Sequence, residues 1–355
     1  GLGDVYKRQL TALCKKLSKT FSKHKYVVIP VFLTLFSIFG FTMGMSSEVM
    51  IFVPIGITLA LFLGLDKVTG TAMIALGAAV GFTAGLLNPF NVGVAQDIAE
   101  LQLFSGMAYR VFILVVLLAA TSAYIICYAR KVAAHPEKSV IYGIPEDQEY
   151  TFDNATDTIT VRQIAVLVVM ALGFGILIYG LSKKGWYFEE MSGLFIFMGV
   201  ICGFISGYGP SRIAREFGEG AKGIIVGCLI IGIARTVEVI LSDANILDTI
   251  VYGIVNIVNV MPDSIKAVGM FLCQSLINCV IVSGTGQAAV TMPLMVPVSD
   301  LVGISRQTSV LAFQLGDGFS NSVLPMSSSL MGYLAVSKIP YSCLLYTSPS
   351  PRDTR

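Results

Sequence analysis

Ser46, Ser47 and Glu48 interrupt one long apolar run of this chain, and Ser283, Thr285 and Gln287 interrupt another. Asn88 and Asn91 flank Pro89-Phe90 at a third interruption, and Asp317 stands between Gly316 and Gly318 just before a fourth, at Pro325. Hydroxyls at Ser46, Ser47, Ser283 and Thr285 and amides at Asn88, Asn91 and Gln287 can ligate Na⁺ or hold the oxygens of a carboxylate. Glycines at such breaks let backbone approach a ligand, and helix N-termini favour an anion. Glu48 and Asp317 have no sequence-local partner. A charge at bilayer depth is costly and tends to line a cavity or to pair, so both are expected at a binding site, Asp317 foremost. Arg235 and Glu238, three apart on one helical run, can pair with each other, and for them a structural role is as good. The plainer reading of the small residues is close helix packing. Proline and polar residues recurring at both the Asn88 and the Pro325 breaks argue against it.

The elements that carry these residues occur twice. At an offset of 239 residues Pro54 meets Pro293, Gly64 meets Gly303 and Thr69 meets Thr308. At 237, Ala75 meets Ala312, Gly81-Phe82 meets Gly318-Phe319 and Leu87 meets Leu324. Glu48 thereby falls opposite Gln287. Paired, interrupted apolar segments in two halves point to the binding site of a secondary transporter.

The chain is 55% hydrophobic and only 13% charged, against about 25% charged in soluble domains. Its mean hydropathy is +0.77. These values indicate an integral membrane protein with the lipid bilayer as its surroundings, and helix-length apolar runs make the expected fold all-α. A formal net charge of +2 without a basic patch gives no reason to expect a nucleic-acid partner. Residues 1–9 and 343–353 read as translations of the two strands of a transposase library adaptor. Residues 1–9 and 343–355 are therefore set aside as foreign, with both native ends expected to be missing. The cysteines of the apolar runs, Cys127, Cys202, Cys228, Cys273 and Cys279, read as small helix residues. There is no CxxC and no Cys/His metal spacing, and His24 and His135 lie in basic flanks.

Charge placement orients the segments. Lys15, Lys16, Lys19, Lys23 and Lys25 precede the first apolar run, and Arg130-Lys131 end the 107–128 span, so both face the cytoplasm. The stretch Asp97 to Ser105 has no Lys or Arg. The assignment is consistent only if the first pair of limbs, broken at Ser46–Glu48, is a re-entrant hairpin. The expected organisation is a first repeat over 10–130, made of a hairpin, a broken helix and a spanning helix. A cytoplasmic linker over 131–162 and membrane helices over 163–262 follow. Pro210 to Lys222 is expected as a cytoplasmic stretch between spans. A second hairpin and broken helix over 263–342 then enter from the other side, truncated. Asn154-Ala155-Thr156 matches a glycosylation sequon but falls in the linker. Gly284-Thr285-Gly286-Gln287-Ala288-Ala289 matches a dinucleotide-binding fingerprint, with Val280-Ile281-Val282 strand-like before it. That site needs a strand, an opening helix and an acidic residue about 20 positions on. Pro293 and Pro297 are expected to interrupt the helix, and the preceding apolar run is helix-length, so an enzyme is not expected.

Three stretches carry a family resemblance: Leu87 to Gln96 (LNPFNVGVAQ), Val282 to Pro293 (VSGTGQAAVTMP) and Leu311 to Ser320 (LAFQLGDGFS). They resemble the YfcC-like carriers, relatives of the anaerobic four-carbon-dicarboxylate carrier C group in the ion transporter superfamily. The resemblance implies a multi-pass carrier of the bacterial inner membrane, a homodimer when full-length, with a mobile domain moving as an elevator. Carried over, Ser46, Ser47, Asn88 and Asn91 fall at one half-site and Ser283, Thr285, Asn321 and Ser327 at the other. Na⁺ would be held by Ser46, Asn88, Asn91, Thr285 and Asn321. The Ser-Asn-Thr tip signature of the dicarboxylate/Na⁺ members is absent, which leaves the coupling ion open between Na⁺ and H⁺. The substrate stays open among a dicarboxylate, a short-chain carboxylate and an amino acid. An amino-acid exchanger of the arginine/ornithine type is the alternative carrier, and a non-transporting receptor or scaffold the alternative outside that class. No cofactor other than the ion is expected.

Overall fold

The computed structural model describes residues 21–143, 161–180, 184, 186, 188–246, 249, 253, 256, 260–262, 265–301 and 303–345. The sequon, Cys14, residues 1–9 and the tail beyond Leu345 lie outside the described residues, as do the side chains of Arg235 and Glu238. All regular structure among the described residues is helical.

The first hairpin consists of α1 (Val28–Met43) and α2 (Val53–Phe62), joined by a tip whose 3₁₀ turn covers Ser47–Phe52. Gly44 ends α1 in the left-handed region, at φ +63, where its N–H reaches the Gly40 carbonyl. The broken helix follows as α3 (Lys67–Ala84), a break, a π-turn over Pro89–Gly93 and α4 (Val94–Ile98). Pro89 cannot donate to a continuing ladder, and Asn88 restarts the chain by accepting the Phe90 N–H at 3.0 Å. Helices α5 (Met107–Ala134), α6 (Val161–Tyr179), α7 (Phe188–Ile205) and α8 (Pro210–Asp243) come next. The second hairpin pairs α9 (Lys266–Ile277) with α10 (Gly284–Leu301), and its broken helix is α11 (Arg306–Asn321) and α12 (Ser328–Ser337).

The two halves repeat in detail. Asp66 caps α3 by accepting the Thr69 N–H at 3.0 Å, and Ser305 caps α11 through the Thr308 N–H at 3.1 Å. Gly64 and Gly303 take the left-handed conformation at matching turns, with φ +68 and +72. After the second break Ser327 caps α12 through the Leu330 N–H, as Asn88 does after the first.

Their ends are opposed. The start of α3 lies with the ends of α5 and α12, through Tyr128 Oη to Asp66 at 2.8 Å and Lys67 Nζ to the Lys338 carbonyl at 3.4 Å. The start of α11 lies with the end of α4 and the start of α5, through Arg306 to Glu100 at 2.8 Å and Gln307 to Ser105 at 2.6 Å. The broken helices therefore run in from opposite ends, and the repeats are inverted, as charge placement predicts.

Close backbone approach holds the first half together. A Cβ on Gly81 would lie 2.0 Å from the Ser37 carbonyl oxygen, so α1 and α3 touch at a distance only glycine permits. Beside this contact lies a core built from Val28, Ile29, Leu33, Ile57, Leu59, Met73 and Ile74. Helix α5 keeps Tyr109, Phe112, Val115, Val116 and Tyr124 on its outer face, an apolar surface suited to lipid. By length and composition His24–Met43, Lys67–Ile98 and Met107–Ala134 suffice to cross a membrane.

One expectation is corrected. Pro293 and Pro297 do not end the helix, since α10 continues through both to Leu301. Membrane helices tolerate proline where neighbours re-satisfy the freed carbonyls. Pro210 to Lys222, expected as a cytoplasmic stretch, is helical. Pro210 opens α8 at its first turn, where a missing N–H costs nothing, and the helix runs unbroken into the next apolar run.

Candidate functional site

Both hairpin tips and both breaks meet. Tip one reaches the second break, where Ser46 Oγ donates to Ser329 Oγ at 2.8 Å and Ser47 Oγ pairs with Ser329 at 2.9 Å and Ser328 at 3.4 Å. Tip one also backs on the first break, since the Asn88 amide packs on Gly44. Tip two reaches the first break, where the Thr285 hydroxyl donates to the Phe90 carbonyl. A Cβ on Gly284 would lie 2.9 Å from both Asn91 Nδ2 and Asp317 Oδ2, so the tip's backbone rests on that pair.

Asp317 is the hub. It is fully buried, one oxygen accepting from Asn91 Nδ2 and the other from Asn321 Nδ2 at 2.7 Å. No salt bridge reaches it from the described residues. Three asparagines of the surroundings keep buried polar atoms without partners: Asn88 at Nδ2, Asn91 at Oδ1, and Asn278, which donates to the Asp317 backbone carbonyl, at Oδ1. Such atoms cost about 1–3 kcal/mol each when left unpaired, and at a binding site a ligand repays that cost. The oxygens at hand are carboxylate, amide and hydroxyl, a set suited to a hard cation such as Na⁺. Among the described residues no cluster of His, Cys, Asp and Glu could hold a transition metal.

Of the residues singled out in the sequence, Ser46, Ser47, Asn88, Asn91, Thr285, Asp317, Asn321 and Ser327 lie at this convergence. Ser283 shapes tip two by accepting the Gly286 N–H at 3.2 Å. Glu48 folds back on its own tip, taking the Ser46 N–H at 3.1 Å. Gln287 turns into its hairpin, bonding Gln274 through the carbonyl at 2.8 Å and the side chain at 2.7 Å. Equivalent by offset, Glu48 and Gln287 are thus placed differently.

The fold adds four further participants. Ser328 and Ser329 complete the serine cluster, and Tyr333 donates its hydroxyl to the Ser46 carbonyl. Arg110, 2% exposed, reaches the carbonyls of Ala84 and Gly85 at the end of α3. A lone arginine near the start of an apolar span reads as an interfacial charge. Only the fold shows that it turns inward.

Two inverted hairpin-and-broken-helix units whose interruptions converge on a buried carboxylate, with helices long and apolar enough to cross a membrane, define a polytopic helical membrane protein. Residues 9–347 match the family described as DcuC, "C4-dicarboxylate anaerobic carrier". The chain belongs to that family, one of carriers rather than enzymes. It is similar to the Escherichia coli (strain K12) protein described as "Putative basic amino acid antiporter YfcC", 32% identical over 333 residues, covering 90% of this chain and 65% of that protein. A protein of Haemophilus influenzae described as "Uncharacterized protein" is 34% identical over 282 residues, covering 78% of this chain and 55% of that one. The chain thus spans less than two thirds of either relative. It is also similar to the crystal structure of the Alcanivorax borkumensis YdaH transporter, at 13% identity and a TM-score of 0.46, covering 98% of this chain and 80% of that one.

Proposed function

We propose that the protein is an ion-coupled secondary carrier of a small organic acid or amino acid, binding its cargo where the two tips and two breaks meet. The observation that carries this reading is the hydrogen-bonded hub of Asn91, Asp317 and Asn321, assembled from opposite ends of the molecule and flanked by unpaired buried amide atoms. Asp317 and the free Asn91 oxygen supply ligands for the coupling cation, Na⁺ or H⁺. Hydroxyls of Ser46, Ser47 and Thr285 supply further contacts.

In this reading the protein works in the bacterial inner membrane as a homodimer, moving the site across by an elevator displacement. The description of the Escherichia coli relative favours amino-acid exchange as the second reading. The test is uptake of labelled succinate, butyrate and L-arginine into proteoliposomes under imposed Na⁺ or proton gradients, and counterflow without them. Gradient-driven accumulation of one compound supports symport. Counterflow alone supports exchange. Binding without either leaves a receptor.

A further inference from the structure

The two halves are alike in backbone and opposite in charge. At each break the first segment of the broken helix ends toward the site, so the negative pole of its dipole faces the ligand. At the first break that pole is covered by a cation. Arg110 Nη1 lies 3.5 Å from the Ala84 carbonyl and 3.4 Å from that of Gly85, and among the described residues its Nη2 has no partner and no carboxylate pairs with it. At the second break the pole is reinforced by an anion, because Asp317 lies within the last turns of α11. Its counterpart by the 237-residue offset is Val80, which carries no charge.

The two unpaired amide atoms of the first break's own asparagines follow the same polarity, although Gln314 Oε1, an unpaired acceptor whose amide packs on Gly85 and donates to the Phe82 carbonyl, does not. Asn88 Oδ1 accepts the Phe90 N–H, which fixes the orientation of the amide and leaves the donor Nδ2 free. Asn91 Nδ2 donates to the Asp317 carboxylate, which leaves the acceptor Oδ1 free. A free donor thus stands at the break with the cation and a free acceptor beside the anion. Glu48 opposes this pattern at tip one. It is partly exposed and already holds the Ser46 N–H, so solvent screens it more than a buried guanidinium is screened.

We propose that the site is bipolar. The carboxylate of the cargo is held in the half formed by tip one and the first break, with Arg110 as the positioning residue whose charge permits it. The cation, whether coupling ion or ammonium group, is held in the half around Asp317. This inference rests on the reading of the convergence as a carrier's binding site and adds which half takes which charge. The ligand class is a small carboxylate accompanied by, or covalently joined to, a cationic centre.

The experiment measures thermal stabilisation of the purified chain in detergent. Succinate is compared with succinamide and L-arginine with agmatine, in NaCl and in choline chloride, for wild type and for Arg110→Met, Arg110→Gln and Arg110→Lys. Wild type is expected to prefer the member of a pair that carries the carboxylate. Met and Gln at 110 should weaken its apparent affinity by about tenfold or more, the scale of a lost charge-assisted contact. Lys should restore part of the preference, and half-saturation by Na⁺ should change little in all three. Helix capping alone would lower the melting temperature without touching the carboxylate preference. An undiminished preference in Arg110→Gln or Arg110→Met therefore overturns the proposal. If Arg110→Met does not purify folded, the comparison of Gln with Lys decides. Wild type that responds to neither carboxylate compound overturns the carrier-site reading itself, a result separate from one in which only the variants behave unexpectedly.

Discussion

Replacing Asp317 by asparagine or by alanine separates charge from packing, because the two changes do opposite things to its neighbours. The carboxylate accepts one amide N–H from Asn91 and one from Asn321. Alanine strands both donors in a buried place, at about 1–3 kcal/mol each, or about 2–6 kcal/mol together. Asparagine keeps one acceptor for Asn321 and turns an N–H₂ toward Asn91. The Asn91 side chain can answer by rotating its amide, since its oxygen has no partner to lose. Asp317→Asn should therefore melt within about 1 kcal/mol of wild type, whereas Asp317→Ala should fall by several. The negative charge is gone in both, so both should lose the Na⁺ or proton dependence of uptake. The assay pairs a melting curve in detergent with uptake against Na⁺ concentration and pH in proteoliposomes. Asp317→Asn with wild-type ion dependence would refute the reasoning and leave coupling to hydroxyls, amides and carbonyls.

Further outcomes are expected elsewhere. Asn88→Asp keeps the acceptor that caps the π-turn but replaces the free donor with a charged oxygen in a fully buried place, so carboxylate affinity should fall and stability should drop by an amount that shrinks at low pH. Asn88→Ala should also lose the cap, about 0.5–2 kcal/mol, and melting curves taken across pH distinguish the two. Gly81→Ala should destabilise by about 1–3 kcal/mol or more, because its Cβ would meet the Ser37 carbonyl at 2.0 Å and a backbone atom cannot step aside. Arg306 donates to both oxygens of Asp300, and that hydrogen bonding holds the Asp300 carboxyl below its usual range. A lowered carboxyl stabilises above its unfolded value of about 3.9 and ceases to as pH falls through the folded one. Hydrogen exchange at Gly303 and Ile304 should thus quicken only below about pH 4, and Arg306→Gln should remove that step.

The sequence revealed the breaks because breaking a membrane helix requires residues that otherwise avoid one. Pro89 and Pro325 withhold donors, and Asn88 and Ser327 supply caps, so their types announce their work. The inverted arrangement was legible for an equally physical reason, since the Lys and Arg clusters admit one consistent threading. Side-chain direction was not legible. Glu48 and Gln287 align by offset, yet one bonds its own tip and the other its partner limb, because Gln274 offers Gln287 a buried partner that no local pattern foretells. Arg110 gives no such signal because its partners are carbonyls 25 and 26 residues earlier. Pro293 and Pro297 misled in the other direction, for an interior proline ends a helix in water more readily than among packed neighbours.

The central claim is that elements from opposite ends build one ligand site, and substrate protection tests it most directly. Ser47→Cys at tip one and Thr285→Cys at tip two, each alone in a cysteine-free background, place a thiol in either half. Labelling by a small membrane-permeant maleimide is followed in proteoliposomes with and without Na⁺ and the compound that uptake selects. The same solute is expected to slow labelling at both positions, with the same half-saturating concentration, and Asp317→Asn to weaken the Na⁺ contribution at both. Protection at one position only, or labelling rates that no solute changes at either, would contradict a shared site.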